Sequence, residues 1–197
     1  MKPPDFDFSP HTDTLVAVVL GALLATASGF AATLLEFFFD RRRRERSAAL
    51  LFGEVLAALD ILFQLARNAY GQGDPYGPIT LRTLRAIRRE LDVYDRNREA
   101  LYDLRDGDLR LEVHTVILRL AMPLDGVIDA TMAAAGRPLE PQWAEVRDQA
   151  FAFLMDSSQL LQGVVARLGK IAQHDFKPYM RLRDEVTPRE TAPPTAG

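Results

Sequence analysis

The distribution of hydrophobic and polar positions separates one long apolar run near the amino terminus from several amphipathic stretches downstream. The run covers residues 14–35, which are 22 positions without a charge. A helix rises about 1.5 Å per residue, so the run would span about 33 Å, close to the roughly 30 Å hydrocarbon core of a bilayer. A helix also satisfies its own backbone hydrogen bonds in lipid. The run therefore predicts a transmembrane helix, and the three phenylalanines that follow extend the predicted membrane segment to 14–39.

A cleaved signal peptide is the main alternative for this run, because residues 25–27, Ala-Thr-Ala, resemble a cleavage site. A signal peptide needs a positively charged leader. Here the leader 1–13 carries one lysine against three aspartates. The apolar run also continues beyond residue 27 into a basic stop-transfer block. A retained span is therefore favoured.

The segment 40–46 is rich in arginine and should fix the orientation of the span. Positive residues that flank a transmembrane helix stay on the cytoplasmic side. We therefore expect the acidic tail 1–13 outside and the larger C-terminal part in the cytosol, with the protein in a bacterial inner membrane. The arginines could also bind anionic lipid headgroups, although a topology signal alone would account for them. They are Arg41, Arg42, Arg43, Arg44 and Arg46.

Small residues recur at every fourth position of the predicted span. They would lie on one face of the helix, where they would let a second helix approach closely. This ladder predicts a packing face for a homodimer or another membrane protein, while the general abundance of alanine and glycine in transmembrane helices is the alternative explanation. Its members are Ala17, Gly21, Ala25, Gly29 and Thr33.

Residues 47–176 show helical periodicity throughout and predict a cytosolic domain. Four amphipathic stretches separated by short turns are typical of an antiparallel four-helix bundle. The first of them, 48–70, is apolar over most of its circumference, as expected of a central helix. The chain is thus predicted to be all-α, with one N-terminal transmembrane helix followed by a cytosolic antiparallel four-helix bundle.

Turn and cap residues set the expected limits of these helices. The Gly- and Pro-rich stretch 71–78 should be a loop, with Thr80 capping the second helix. Asp108 is expected to cap the third helix, in which Pro123 should introduce a kink. Pro141 should open the fourth helix.

The fourth helix carries a hydrophobic seam with the alternating three-and-four spacing of a bundle contact. We expect this seam to be buried, with one serine as its polar member. The polar, proline-bearing tail that follows, 177–197, is expected to be disordered. The seam consists of Trp143, Val146, Ala150, Phe153, Ser157, Leu160, Val164, Leu168 and Ile171.

Composition excludes several kinds of site. The chain has no cysteine, which rules out disulfide scaffolds, zinc ribbons, iron–sulfur clusters and thiol catalysis. With 24 Lys+Arg against 27 Asp+Glu, it lacks the net positive charge of a typical nucleic-acid-binding protein, and no nucleic-acid partner is expected. The arginines between 82 and 98 alternate with acidic residues, a pattern typical of an exposed, ion-paired surface.

Candidate metal ligands are poorly arranged. His11, His114 and His174 lack the carboxylate–histidine spacing of a metal site, so no metal or cofactor is expected. An acidic cluster around residue 107 lacks the spacing of a calcium loop, and helix caps and a solvated face are favoured over a cation site. No phosphate-binding loop or nucleophile motif occurs, and no catalytic residue is assigned. The acidic cluster comprises Asp103, Asp106, Asp108 and Glu112.

These patterns favour a non-enzymatic single-pass membrane protein that acts as an accessory subunit or tethered scaffold through helix–helix contacts. Its expected partners are membrane lipids and either a partner protein or a second copy, bound through the transmembrane helix. The alternative is a membrane-anchored sensor that binds a small ligand or an anionic lipid and signals through its first helix. In that case Pro123 and Ser157 would loosen the core enough to admit the ligand. A membrane-bound hydrolase is a third interpretation.

Overall fold

The computed structural model describes the backbone of residues 9–134 and 139–187, and the side chains of all of these except 9–15. Every regular element in these ranges is helical and none is a strand, which confirms the all-α prediction. Two short 3₁₀ segments, Arg98–Asp103 and Ser158–Leu160, accompany the α-helices. The α-helices are α1 (Ser9–Gly71), α2 (Pro78–Arg96), α3 (Gly107–Ala133), α4 (Pro141–Ser157), α5 (Leu161–Ala172) and α6 (Lys177–Val186).

The chain forms two compact units, Met1–Arg43 and Arg44–Gly197, which we call the apolar unit and the helical domain. In the apolar unit, α1 begins at Ser9, so five residues of the predicted tail 1–13 are already helical. Residues 1–8 of that tail lie outside the described residues. Each unit is built from a different type of sequence and is considered separately below.

The described part of the apolar unit, 9–43, is a single stretch of helix, and its side chains from 16 to 43 are all exposed. This part of α1 is long and apolar enough to cross a membrane. Thr26 Oγ1, Ser28 Oγ and Thr33 Oγ1 donate hydrogen bonds to carbonyl oxygens four residues earlier, at 2.8, 2.6 and 3.0 Å. Because these hydroxyls are satisfied within the helix, they would not oppose burial in an apolar environment.

The helical domain has one core, to which α1 to α5 all contribute. The C-terminal part of α1 lies at its centre, since Ala49, Leu59 and Ala66 have no exposed surface. Phe52 of α1 packs against Tyr94 of α2 with ring centroids 5.8 Å apart. The nearly all-round apolar sequence of 48–70 explains this placement, because such a helix must be covered on several faces.

Two helices begin differently from the predictions. Thr80 was expected to cap α2, but it is buried in the first turn, and the carboxylate of Asp74 accepts hydrogen bonds from the backbone N–H groups there. Asp108 was expected to cap α3, but Asp106 does so by accepting a hydrogen bond from the Leu109 backbone N–H at 3.0 Å. In both cases a carboxylate lies near the positive end of the helix dipole.

The predicted seam of the fourth helix is buried only in part. The helix divides into α4 and α5 at the 3₁₀ turn Ser158–Leu160. Val164 and Leu168 are buried, but Trp143 and Phe153 are 57% and 48% exposed. Three residues of 3₁₀ helix turn the chain about 60° further than three residues of α-helix. The seam therefore changes direction at this turn, and other α4 side chains, Phe151, Leu154 and Met155, enter the core.

The segment predicted to be a disordered tail from residue 177 instead begins with α6. Arg183 Nε lies 3.1 Å from Asp60 Oδ2 of α1, and Asn68 Nδ2 donates a hydrogen bond to the Val186 carbonyl. Tyr179 packs against the core. Contacts with distant residues therefore hold a helix that its own polar sequence would not maintain. Residues 188–197 of the predicted tail lie outside the described residues.

Candidate functional site

The loop between α1 and α2 is held against the start of α2 by Asp74. Its Oδ2 accepts hydrogen bonds from the backbone N–H groups of Ile79 and Thr80 at 2.9 and 2.8 Å. The Thr80 hydroxyl donates a further hydrogen bond to the Asp74 carbonyl at 2.6 Å. These three bonds fix the path of the intervening residues, including Tyr76.

Tyr76 adopts a left-handed backbone conformation, with φ of +60°, that is uncommon for residues other than glycine. Its ring makes edge-on contacts with Tyr70 and Phe151, at centroid distances of 5.5 and 5.6 Å, and these two rings stack at 4.5 Å. We call the three residues the aromatic cluster. Burial, followed by the neighbouring Asp148 carboxylate, raises the pKa of the Tyr76 phenol, so it remains neutral at physiological pH.

Arg147 of α4 covers this cluster on the side of Tyr76. Its guanidinium carbon lies 3.6 Å from the centre of the Tyr76 ring, a cation–π arrangement. Its Nη2 lies 3.2 Å from Asp148 Oδ1, and its side chain is only 17% exposed. The guanidinium is thus fixed in position by an aromatic face and a carboxylate.

A groove of about 1010 Å³ opens beside Arg147, and we call it the arginine groove. Its walls come from the loop at 75–77, the exposed face of α2, Thr131 of α3 and Ala134, which follows α3. Among the described residues that line it there are four arginines and no carboxylate. The arginines are Arg82, Arg85, Arg89 and Arg147.

Only part of the arginine-rich helix behaves as the predicted ion-paired surface. Arg88 lies 3.6 Å from Asp92 and 3.4 Å from Asp125, measured between charged nitrogen and oxygen atoms. Within the ranges that the structure describes, Arg82, Arg85 and Arg89 have no ion pair. Helical spacing accounts for the pair with Asp92, which lies four positions after Arg88, whereas the contact with Asp125 depends on which residues of α3 face α2.

A second, apolar groove of about 570 Å³ lies between α3 and α4. Its α3 wall consists of one carboxylate, Asp129, and of small residues that include Gly126 and Ala130, and its α4 wall includes Trp143 and Val146. Burying all of the α4 seam would have removed this groove. Because that part of the seam is exposed, the helical domain presents an apolar surface that the sequence had assigned to the core.

The described residues contain no group of three or more His, Asp or Glu side chains arranged to hold a metal ion. His114 Nδ1 lies 3.0 Å from the Tyr94 hydroxyl, and His174 Nδ1 accepts a hydrogen bond from the Phe176 backbone N–H at 3.1 Å. The side chain of His11 lies outside the described residues. The two histidines that can be placed thus have local hydrogen-bonding roles.

The acidic cluster around residue 107 acts as a cap and an ion-pairing surface. The hydrogen bond from the Leu109 backbone N–H, followed by the contact with Arg167, lowers the pKa of Asp106. Arg167 Nη2 lies 2.8 Å from Asp106 Oδ2, and Arg167 Nη1 pairs with Glu112. These contacts join α5 to the first turns of α3.

The predicted membrane-packing residues all lie on the exposed part of α1. Ala17, Gly21, Ala25, Gly29 and Thr33 occupy successive turns, and nothing lies within 4 Å of the position that a β-carbon would take on either glycine. The space beside the ladder is therefore open.

The basic residues Arg41, Arg42, Arg43 and Arg44 are exposed. Arg46 has a structural role that the sequence did not indicate, since its Nε donates a hydrogen bond to the Ala172 carbonyl at 2.8 Å. Ala172 ends α5, where carbonyl groups lack partners within the helix and a cation is favourable.

No protein-family model matches the chain, and no curated protein or solved structure matches it either.

Proposed function

We propose that this chain is a non-enzymatic single-pass membrane protein that acts as an accessory subunit or tethered scaffold through helix–helix contacts. The observation that carries the proposal is the contrast between its two units. Twelve large apolar side chains between residues 16 and 39 are about half exposed or more, whereas the helical domain buries most of its own. Leaving so many side chains in water would cost on the order of 10 kcal/mol or more, which lipid or another protein would relieve.

The orientation follows from charge. The arginines after the span favour a cytosolic helical domain, with the acidic amino-terminal tail on the opposite side of a bacterial inner membrane. In this proposal, α2, α3, the α4–α5 pair and the C-terminal part of α1 form an antiparallel four-helix bundle. Their common core supports this arrangement.

The contact surfaces of the scaffold are proposed to be of two kinds. The ladder of small residues on α1 suits close packing against another transmembrane helix. In the helical domain, the apolar groove and the exposed side chains Trp143, Val146 and Phe153 suit an apolar partner surface.

Membrane retention and orientation can be tested with C-terminal reporters on the full chain. We expect green fluorescent protein fused after Gly197 to fluoresce, alkaline phosphatase at the same position to be inactive, and both fusions to resist carbonate extraction. The physical reason is that an uncharged helix of this length is inserted permanently and its basic flank stays inside. Active phosphatase, or release of a product that lacks the apolar run, would contradict the proposal.

Replacing both Gly21 and Gly29 with leucine is expected to remove most helix association in the membrane, because the larger side chains would separate the two backbones. Self-association is measured by cross-linking through groups other than thiols, or by energy transfer between labelled copies. Retention of a partner is measured by co-purification. Ala27→Leu with Ala31→Leu is the matched control, since these positions lie on the opposite face of α1. Equal association by all three proteins would argue against the ladder as a contact face.

A further inference from the structure

Three arginines of α2 form one continuous basic face in the arginine groove. Arg82, Arg85 and Arg89 are spaced three and four residues apart, so they lie on the same side of the helix and extend over about 10 Å. All three are exposed, and in the part of the chain that the structure describes none has an acidic partner. Their neighbour Arg88 differs, because it is paired with Asp92 and Asp125.

The fourth arginine lines the groove from α4. Arg147 is held by the Tyr76 ring and by Asp148, so its guanidinium does not need to be ordered when a ligand binds. Counting Asp148 against the four arginines leaves about three net positive charges around a groove that no described carboxylate lines. Like charges at this density repel one another, and an anion between them would relieve the repulsion.

The dimensions of the groove select the kind of anion. Guanidinium groups bind phosphoryl oxygens in bidentate fashion, and a row about 10 Å long can contact two phosphoryl groups side by side. A diphosphate carries roughly two to three negative charges near neutral pH, which matches the net charge of the groove. Pro75, Pro78 and Leu81 supply apolar surface for the rest of a small organic molecule.

We propose that the arginine groove binds a soluble small molecule that carries two adjacent phosphoryl groups. A ligand from solution is favoured over a lipid headgroup because of the location of the groove within the helical domain. It borders the loop after Gly71, whereas the domain begins at Arg44, and the intervening helix rises about 40 Å. The groove lies wholly within the helical domain, so binding of an anion there does not depend on membrane anchoring, whereas the preference for a soluble ligand rests on the proposed function.

The test uses the full chain in phosphatidylcholine nanodiscs, titrated with inorganic pyrophosphate by isothermal titration calorimetry. We expect saturable binding that weakens about tenfold or more in the Arg82→Gln/Arg85→Gln variant, because each substitution removes charge-assisted hydrogen bonds. Arg88→Gln is the matched control on the same helix and should change the affinity by about twofold at most, since its ion pairs lie outside the groove. Circular dichroism should show unchanged thermal unfolding in all variants, because the substituted side chains are partly or fully exposed.

Dihexanoylphosphatidylglycerol below its micelle concentration serves as the headgroup probe. We expect it to bind about tenfold more weakly than pyrophosphate, since it presents a single phosphodiester. Tighter binding of this lipid than of pyrophosphate would overturn the assignment to a soluble diphosphate. The proposal is also overturned if pyrophosphate does not bind, or if Arg88→Gln weakens its binding as much as the double variant does.

Discussion

Replacing Phe176 with alanine is expected to lower the free energy of unfolding of the helical domain by about 3–5 kcal/mol, the range for truncating a buried phenylalanine. Phe176 links α5 to α6 and is only 1% exposed. Its ring fills a notch between two glycines. A β-carbon on Gly53 of α1 would overlap the tip of the ring, and one on Gly169 of α5 would lie 3.5 Å from Cε2. Because both walls of the notch are backbone, the cavity left by alanine could collapse only slightly.

The close packing of the Phe176 ring against Gly53 also predicts the effect of a substitution at Gly53. Gly53→Ala should destabilise the domain by about 1–3 kcal/mol, even though alanine favours a helix interior by about 1 kcal/mol, because the ring cannot move out of a packed core. In a Phe176→Ala background the same substitution should cost nothing or become stabilising. Urea unfolding of the full chain in mild detergent, followed by far-ultraviolet circular dichroism, measures all of these differences.

Gly163→Ala is the matched control for this experiment. Gly163 is also inside a helix, α5, but nothing lies within 4 Å of the position of its missing β-carbon. We expect this substitution to stabilise the domain by up to about 1 kcal/mol. If Gly53→Ala gave the same gain, the Phe176 ring would not occupy the notch and the first prediction would be wrong as well.

The helical character of the chain could be predicted because it is encoded locally. Residues 14–35 have no charge, and 48–70 are apolar on most faces, so their composition alone favours helices. The buried positions of α1, such as Phe52, Leu56 and Leu59, follow from that pattern. Periodicity identifies which elements form and which faces are apolar.

Which face of the predicted fourth helix is buried could not be predicted in the same way. Three residues of 3₁₀ helix at Ser158–Leu160 rotate the core-facing side of α4 relative to that of α5. A change over so few residues cannot be detected in the spacing of hydrophobic positions. Trp143 was therefore assigned to the core but is 57% exposed. The apolar groove beside it is a consequence of this rotation.

The arginine groove could not be predicted because it depends on which charges meet across the fold. Helical spacing distinguishes Arg88, which has Asp92 four positions later, from Arg85, which has no acidic residue within four positions, but it does not show what either side chain meets across the fold. Only packing places Asp125 of α3 beside Arg88 and leaves Arg85 facing the loop. The left-handed backbone conformation of Tyr76 could not be predicted from the sequence either, because tyrosine has no preference for positive φ.

Docking of α6 is another long-range effect, and it leads to the second large prediction. Asp60 is 6% exposed, and Arg183 Nε lies 3.1 Å from its Oδ2. Burial raises the pKa of Asp60, and the Arg183 guanidinium acts in the opposite direction. Arg183 makes the largest contribution that favours the charged carboxylate, ahead of Gln162 and Gln64, and Asp60 Oδ1 is buried without a hydrogen bond in the described part of the chain.

Arg183→Met is expected to lower the free energy of unfolding by about 2–3 kcal/mol near pH 7. This is somewhat less than the roughly 3–5 kcal/mol for breaking a fully buried pair, because the Arg183 side chain is 27% exposed. The loss should diminish as the pH falls. Without the guanidinium, the pKa of Asp60 in the folded variant rises further above the unfolded value of about 3.9. Between the Asp60 pKa of the native protein and the higher pKa of the variant, only the folded variant binds the proton, so lowering the pH stabilises the variant relative to the native protein.

Urea unfolding of the full chain in mild detergent at about pH 7 and about pH 5 tests this dependence. The control is Asp60→Asn combined with Arg183→Met, which removes the carboxylate that Arg183 compensates. We expect the double variant to recover part of the stability lost near neutral pH and to show no pH-dependent gain from this site. A deficit in Arg183→Met that stays constant over the same interval would mean that Arg183 stabilises α6 by packing. Because the carboxylate belongs to α1 and the guanidinium to α6, the pH dependence measures how much the ion pair contributes to the docking of α6 on α1.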